Sequence, residues 1–287
     1  MAVANAAVST VPVRHDRTQL RDQLDDALRD LDPVELRSPV VRRVGASGFA
    51  TEDVLSRYAA RLQRHRVNVS SLLVDLGCGA GGFSLWLAER TGARLYGVDA
   101  DPLAVGRARR SIRDFVLAQE PTFDCASYEA TWVEPSLAHA VVSLDALHLA
   151  SRPHTALAEV HRVLMTGGIV IFNVYVSDED AGASSWVRTL EQAGFAMLDI
   201  DDQTHIWRSV MIAKHRARLE HGPFLASRFG ERAVAPELAV SRTMLGLDYG
   251  PSVIANTRRV ELVARKVTGA SRKRSPSSPN VLRPVDE

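Results

Sequence analysis

The pattern of apolar and polar residues predicts a chain in which strands and helices alternate. Apolar runs of the length expected for buried strands occur at residues 72–74, 94–98, 169–176, 196–203 and 258–266. Apolar residues at helical spacing lie between several of these runs, as at residues 83–90 and 152–164. Strands that alternate with helices in this way indicate an α/β sheet with helices on both faces.

Helical patterns also flank this alternating region. Residues 17–31 carry Leu20, Leu24, Leu28 and Leu31 on one stripe, which is typical of a packing or dimerisation helix. Residues 51–65 predict a second helix, with Thr51 as its N-cap. Residues 206–247 are helix-like and carry three aromatic residues, so they can cover an apolar pocket.

These patterns divide the chain into four parts. We expect a flexible leader at residues 1–16 and an N-terminal helical cap at residues 17–66. Residues 67–267 form the main α/β domain, with residues 206–247 as its insertion. Residues 268–287 are rich in Ser, Pro and Arg, which predicts a disordered basic tail.

A glycine-rich turn follows the first strand and is the most informative motif of the chain. It contains Gly77, Gly79, Gly81 and Gly82, and it is followed by a helix and a second strand that ends at Asp99. This is the layout of a nucleotide-binding βαβ unit, in which glycines allow the backbone to approach the ligand closely. Asp99 lies where a carboxylate can accept hydrogen bonds from ribose hydroxyls.

The glycine turn satisfies two cofactor motifs. Gly77, Gly79 and Gly82 match the dinucleotide pattern G-x-G-x-x-G, whereas Gly77, Gly79 and Gly81 match G-x-G-x-G with Asp75 two residues before it. A carboxylate at this position opposes a pyrophosphate at the helix N-terminus. It suits the ammonium and sulfonium groups of S-adenosylmethionine (SAM), so Asp75 favours SAM over a nicotinamide or flavin dinucleotide.

Five segments, in this order, resemble motifs of the class I SAM-dependent methyltransferases, in particular the branch that acts on small molecules such as natural products, sugars and quinones. They are VDLGCGAGG at residues 74–82, GVDADP at 97–102, AVVSLDALHL at 140–149, RVLMTGG at 162–168 and WVRTLEQAGF at 186–195. The resemblance covers residues 45–267 and implies SAM as cofactor and S-adenosylhomocysteine as product. In the GVDADP segment, Asp101 reads as a helix N-cap with Pro102 at the first helical position.

The resemblance implies a Rossmann-like, seven-stranded, mostly parallel sheet with helices on both faces, an N-terminal helical cap and a helical insertion between strands six and seven. The last strand is antiparallel to the others. The implied cofactor residues are Asp75, Gly77, Cys78, Gly79, Gly81, Asp99, Ala100, Ser127, Tyr128 and Leu144. Ser127 stands where many relatives have an Asp that accepts a hydrogen bond from the adenine amino group, so this contact departs from the family pattern.

His148 is the best candidate for a general base, because it lies just beyond strand four at the carboxyl edge of the sheet. A structural, hydrogen-bonded histidine is the alternative interpretation. His205 is a weaker second base. Candidate substrate contacts are Phe49, Tyr175 and Trp207, although ordinary packing explains each of them as well. Asn173 occupies a position where some relatives carry an acid.

No metal is expected, because the histidines at 148, 154 and 161 do not form a zinc-binding pattern. The chain has 287 residues, of which 46% are hydrophobic, and a net charge of +1. The near-neutral charge argues against a nucleic-acid substrate, which calls for a basic face. Two cysteines, no signal peptide and no run of about 18 apolar residues predict a soluble cytoplasmic protein without a membrane partner.

We therefore expect a SAM-dependent methyltransferase that acts on O, N or C of a small, partly apolar metabolite. The scarcity of lysine relative to arginine suggests a bacterial source, and the predicted pathway is secondary metabolism. A homodimer is one assembly that the helix at 17–31 allows. The alternatives are a macromolecule methyltransferase acting on tRNA or protein, and a SAM-fold cyclase or binding protein without methyl transfer.

Overall fold

A computed structural model describes residues 38–45, 49–177, 182–248 and 250–267, together with Ala27. The described strands are β1 (Leu72–Leu76), β2 (Arg94–Asp99), β3 (Thr122–Cys125), β4 (Ala138–Ser143), β5 (Leu164–Ser177), β6 (Phe195–Asp202) and β7 (Thr257–Lys266). They form one seven-stranded sheet in the order β3-β2-β1-β4-β5-β7-β6. This confirms the predicted sheet and its mostly parallel character.

The order of strands reverses between β1 and β4, which lie side by side in parallel. From β1 the chain proceeds outward to β2 and β3, and from β4 it proceeds outward to β5. In open α/β sheets, ligands bind at the carboxyl edge beside such a switch point. β7 is antiparallel to both of its neighbours, β5 and β6, as the family resemblance implied.

The described helices are α1 (Pro39–Val44), α2 (Glu52–Arg64), α3 (Gly82–Thr91), α4 (Pro102–Ser111), α5 (Pro153–Val163), α6 (Gly182–Gln192), α7 (Thr204–Glu220), α8 (Gly222–Phe229) and α9 (Glu231–Leu245). Successive strand residues point to opposite faces of the sheet. Leu73 therefore packs with α2 and α3 in one apolar layer, whereas Leu72 and Val74 pack with α5 and α6 in the other.

Two elements differ from the sequence prediction. β5 begins at Leu164 rather than 169, because Leu164 pairs with Ala138 before an irregular stretch that includes Gly167 at φ 81°. The insertion between β6 and β7, predicted as a helix-like stretch at residues 206–247, consists of three helices and begins at Thr204. α7 ends at Glu220 just before Pro223, and Gly230 at φ 88° separates α8 from α9.

The N-terminal segment packs directly on the glycine turn. An added Cβ at Gly82 would lie 1.8 Å from the carbonyl oxygen of Val44, so α1 ends against the first residue of α3. α2 begins as predicted, with the Thr51 hydroxyl accepting a hydrogen bond from the Val54 N–H. The predicted leader, tail and most of the helix at 17–31 lie outside the described residues; Ala27 packs against Leu225 and Val234.

The helices of the described residues are all too short or too polar to span a membrane.

Candidate active site

The glycine turn brings the end of β1 into close contact with the loop after β4. Gly77, Gly79 and Gly81 all have positive φ angles, at 79°, 53° and 82°, a conformation that glycine adopts without steric cost. An added Cβ at Gly77 would lie 2.3 Å from the Cβ of Ala146. The turn is fixed to the next strand, because the N–H groups of Gly77 and Cys78 donate to the Val98 carbonyl.

Asp99 ends β2 and faces the same turn. Its two carboxylate oxygens accept hydrogen bonds from the N–H groups of Gly79 and Asp101, each at 2.9 Å. Asp101 in turn caps α4 by accepting from the Leu103 N–H, as predicted. These bonds hold the Asp99 carboxylate at the carboxyl edge of the sheet, where it can still accept hydrogen bonds from a ligand.

Asp75 lies within β1 and is almost completely buried, with 1% of its surface exposed. Neither carboxylate oxygen has a hydrogen-bond partner among the described residues. Burial raises the pKa of Asp75 to about 7, the nearby Ser84 hydroxyl lowers it, and the charge of Asp99 raises it further. A buried carboxylate without a partner is costly, so it fits a site for a cationic ligand group.

The other predicted cofactor residues surround this turn. The Tyr128 hydroxyl lies 3.2 Å from the position of a Cβ added at Gly77. Burial, together with the charges of Asp99 and Asp75, raises the pKa of Tyr128 to about 12. Cys78 is buried, Leu144 packs against the core, and Ala100 is exposed.

Ser127 is exposed, and its hydroxyl accepts a hydrogen bond from the Glu129 N–H. Glu129 itself is engaged by Arg152. The Glu129 carboxylate is therefore already paired, whereas the Ser127 hydroxyl keeps a second lone pair, and its contact with the adenine amino group stays a prediction.

The residues at the turn fit SAM on structural grounds. The partnerless carboxylate of Asp75 suits its ammonium group, and the Asp99 carboxylate suits its ribose hydroxyls. An added Cβ at Gly79 would meet no atom within 4 Å, so the backbone of the turn is open to a ligand at this position. The site carries carboxylates and no basic side chain among these residues, which disfavours a pyrophosphate.

On the other side of the switch point, Asp145 is the centre of a buried polar cluster. Its Oδ1 accepts from the Asn173 amide at 2.6 Å, the Tyr175 hydroxyl at 2.8 Å and the Arg259 guanidinium at 3.2 Å. Its Oδ2 accepts from the Phe49 N–H at 2.7 Å. Burial opposes ionisation, but Arg259 and these donors hold the pKa of Asp145 below its ordinary value.

Arg259 is the cation of this cluster and is completely buried. Its guanidinium lies over the Phe49 ring, 4.9 Å from the ring centre, and also bonds Gln203. Gln203 donates to Glu261, which pairs with Arg61 of α2. A continuous polar network therefore joins α2, β7 and the end of β4.

His148 follows β4 in a short 3-10 turn, Leu147–Leu149, three residues after Asp145. Its ring packs edge-on against Tyr175, with the ring centres 4.9 Å apart. The Nδ1 atom is buried and has no hydrogen-bond partner among the described residues. Burial lowers the pKa of His148 to about 4, although Asp145 partly raises it, so the imidazole is neutral at pH 7.

The structure brings the three predicted substrate residues together. Tyr175 packs between His148 and Trp207, whose ring centre lies 5.3 Å from its own. Phe49 and Trp207 are buried at 1% and 3% exposure. His205 is exposed on the first turn of α7, and no contact in the described residues joins it to His148.

Sequence reasoning missed Asp145 and Arg259 as site residues. Asp145 follows β4 at the carboxyl edge, which is a positional signal, but its left-handed backbone (φ 54°) has no signature in the sequence. Arg259 stands in an otherwise apolar strand, where a buried charge is rare without a partner. Its partner lies 114 residues away in the chain, so only the fold reveals the pair.

Comparisons with known proteins find methyltransferases. The profile of a methyltransferase domain matches residues 74–172. A dimethylglycine N-methyltransferase from Parasynechococcus marenigrum is 35% identical over 100 residues, which cover 35% of this chain and 36% of that protein. A malonyl-acyl-carrier-protein O-methyltransferase from Laribacter hongkongensis is 28% identical over 202 residues, covering 67% of this chain and 58% of that protein.

Solved structures show the same fold over most of the chain. The (4+2)-cyclase SpnF superimposes with a TM-score of 0.65 at 22% identity, covering 87% of this chain and 97% of that one. Other structures of this fold contain SAM or S-adenosylhomocysteine. The chain spans 36% to 58% of the length of the first curated relatives that it matches. The fold, the glycine turn and these matches show that residues 74–172 form a methyltransferase domain and that the chain has the fold of the class I SAM-dependent methyltransferases.

Proposed function

We propose that this protein transfers the methyl group of SAM to an O, N or C atom of a small, partly apolar acceptor. The observation that carries the proposal is His148, a neutral base with a buried, partnerless Nδ1, in an aromatic wall beside the switch point of the sheet. Asp75 and Asp99 stand across this switch point and suit the cofactor.

When bound, SAM supplies a methyl group that positive sulfur has already activated. The chain has to position an acceptor, exclude water and remove a proton where the acceptor carries one. The rings of Tyr175 and Trp207 line the proposed acceptor site and exclude water from it. With its proton on Nε2, His148 presents the Nδ1 lone pair as general base, and the nearby Asp145 carboxylate stabilises the imidazolium that results.

The charges in the site favour a neutral or cationic acceptor. Arg259 neutralises Asp145, so the acceptor side carries no free charge from this pair. Asp75 and Asp99 contribute two carboxylates on the cofactor side, which SAM balances only in part. Among the site residues described above, the one cation, Arg259, already pairs with Asp145, so these residues offer no counter-ion to an anionic acceptor such as a phosphate.

The substrate class also follows from what encloses the site. α1 and α2 pack on one side of the switch point, and Trp207 brings α7 against Tyr175 on the other. An acceptor enclosed in this way is a small molecule rather than a folded macromolecule. We further propose a role in bacterial secondary metabolism, which the arginine-rich composition and the large insertion support.

A cyclase without methyl transfer is the second candidate. The observation that favours it is the likeness in fold to the cyclase SpnF over nearly its whole chain. The two candidates differ in one measurable respect. A methyltransferase consumes SAM and transfers its methyl group, whereas a cyclase leaves the cofactor intact.

The test uses methyl-labelled SAM with a panel of neutral hydroxylated, phenolic and amine acceptors, and with tRNA as a macromolecular acceptor. We expect label in a small neutral product. His148→Ala should lower kcat about 10²-fold to 10⁴-fold for an acceptor that loses a proton, with little change in the affinity for S-adenosylhomocysteine. His154→Ala, at an exposed position of α5, is the matched control and should retain the wild-type rate.

Because the pKa of His148 is about 4, kcat should not fall through protonation of this base between pH 8 and pH 5. Label on tRNA alone, or product formation with intact SAM, would contradict the proposal in favour of an alternative. An unchanged kcat in His148→Ala would leave the histidine with a structural role.

A further inference from the structure

Tyr58 of α2 has a buried hydroxyl that no described residue satisfies. The side chain is 0% exposed, and its oxygen has no hydrogen-bond partner among the described residues. Buried polar atoms in proteins are nearly always hydrogen-bonded, so an unsatisfied hydroxyl needs an explanation. The sequence offers no explanation for this hydroxyl, because it indicates only that Tyr58 occupies an apolar position of an amphipathic helix.

Tyr58 packs against the start of α3. Its ring packs edge-on against Phe83, the second residue of α3, with the ring centres 5.1 Å apart. Burial raises the pKa of Tyr58, and the charges of Arg259, Asp145, Arg61 and Asp75 also act on it. Phe83 directly follows the glycine turn, so the Tyr58 side chain lies beside that turn, at the carboxyl end of β1.

The unsatisfied groups beside the glycine turn include both hydrogen-bond acceptors and a hydrogen-bond donor. Asp75 offers two acceptor oxygens without a partner, and Tyr58 offers a donor hydroxyl without one. An α-amino acid needs the same pair, because its ammonium group donates hydrogen bonds and its carboxylate accepts them. The amino-acid portion of SAM has this chemistry.

We propose that the Tyr58 hydroxyl donates a hydrogen bond to the carboxylate of the amino-acid portion of SAM, while Asp75 accepts from its ammonium group. This inference rests on the proposed function. It makes α2, an element outside the sheet, a direct ligand of the cofactor. Since Arg61 of the same helix pairs with Glu261 of β7, the position of Tyr58 depends on how α2 is docked.

The experiment compares two probes that share the nucleoside and the thioether. S-adenosylhomocysteine carries the amino-acid portion, and 5′-methylthioadenosine lacks it. Calorimetry on Tyr58→Phe should show binding of S-adenosylhomocysteine weakened about 10-fold or more, since the lost bond is to a charged group. The affinity for 5′-methylthioadenosine should match that of the wild type, which also shows that the variant is folded.

Tyr96→Phe is the matched control. Its half-buried hydroxyl bonds Asp124 between β2 and β3, so the variant loses a tyrosine hydroxyl outside the proposed contact. It should bind both probes as the wild type does.

Two results would overturn the role of Tyr58 and leave the proposed function intact. One is an unchanged affinity of Tyr58→Phe for S-adenosylhomocysteine, and the other is an equal loss for both probes. A wild-type protein that binds neither probe would instead refute the proposed function and this inference with it.

Discussion

Asp75 shows how one buried carboxylate serves binding at the expense of stability. Its burial raises the pKa from 3.8 to about 7, so the folded protein without cofactor holds a proton that the unfolded chain has released. The folded state is therefore penalised as the pH rises from about 4 to about 7, and the penalty remains at higher pH. A bound ammonium group removes it by pairing with the carboxylate.

Asp75→Asn should therefore raise the melting temperature of the cofactor-free protein at pH 8, because it removes a buried charge, and should change it little at pH 4. The gain corresponds to a few kcal/mol at most, since each pKa unit is about 1.4 kcal/mol and the buried amide is itself unsatisfied. The same variant should bind S-adenosylhomocysteine at least 10-fold more weakly. Thermal denaturation and calorimetry measure both effects.

Asp114→Asn, at an exposed position, should change neither quantity and serves as the control. In the wild type, affinity for S-adenosylhomocysteine should rise as the pH increases towards 7 and then level off. A loss of stability in Asp75→Asn at pH 8 would mean that the carboxylate is satisfied in the free protein.

For single residues, the sequence was most informative where a role follows from the place of the residue next to a predicted strand or turn. His148 was predicted from its place after β4, and the structure puts it in an aromatic wall. Asp145 and Tyr58 were not predicted, because their significance depends on partners contributed by distant elements. The local sequence of Tyr58 indicates only a buried helix face.

Among the elements, α1 has an influence larger than its length suggests. It ends with the Val44 carbonyl against Gly82, where an added Cβ would lie 1.8 Å from the oxygen. Backbone atoms cannot move aside as the end of a flexible side chain can. Any residue larger than glycine at this position must displace either α1 or the start of α3, and the start of α3 carries the cofactor turn.

We therefore expect Gly82→Ala to destabilise the protein by about 1–3 kcal/mol, the usual range for overpacking, and to weaken the binding of S-adenosylhomocysteine. Chemical denaturation and calorimetry provide the measurements. Gly106→Ala is the matched control, because its added Cβ would have only the Arg110 side chain within reach, at 3.7 Å. That variant should gain up to about 1 kcal/mol from helix propensity. Equal behaviour of the two variants would show that α1 yields freely.

The strands and helices of the sheet were largely predictable from the sequence, because each has a local pattern and ordered motifs. The first and last residues of these elements were harder to predict. β5 starts five residues early in an irregular pairing with β4, which no periodicity reveals. The insertion was predicted as one helical stretch, but Gly230 and Pro223 divide it into three helices whose directions only packing sets.

Across the whole molecule, the polar network from Arg61 to Asp145 joins the N-terminal segment to the last strand. Glu261 is its midpoint, with Arg61 and Gln203 as partners and no exposed surface. Removing one member of a buried ion pair leaves the other uncompensated, which costs several kcal/mol. Such a network has no signature in the sequence, since its members are separated by up to 200 residues.

Glu261→Gln should lower the free energy of unfolding by about 3–5 kcal/mol, reduced by the contacts that Arg61 keeps with Asp199. Hydrogen exchange should show the amides of α2 opening more readily than those of β1. Asp248→Asn, which removes an exposed pair with Arg242, should cost no more than about 1 kcal/mol. A Glu261→Gln protein as stable as the wild type, with α2 still protected, would contradict this account of how α2 is held.

The strand order β5-β7-β6 has a consequence for how the protein is made. β6 pairs only with β7 among the described strands. Residues 195–202 therefore cannot join the sheet until residues 257–266 have been synthesised. Arg259 belongs to β7, so Asp145 has no cation partner before that strand has been synthesised. On the ribosome, the sheet and the acceptor side of the site are therefore completed in a single late step. A nascent chain that ends before β7 carries the glycine turn, but its sheet has an exposed edge and its Asp145 carboxylate has no counter-ion from Arg259.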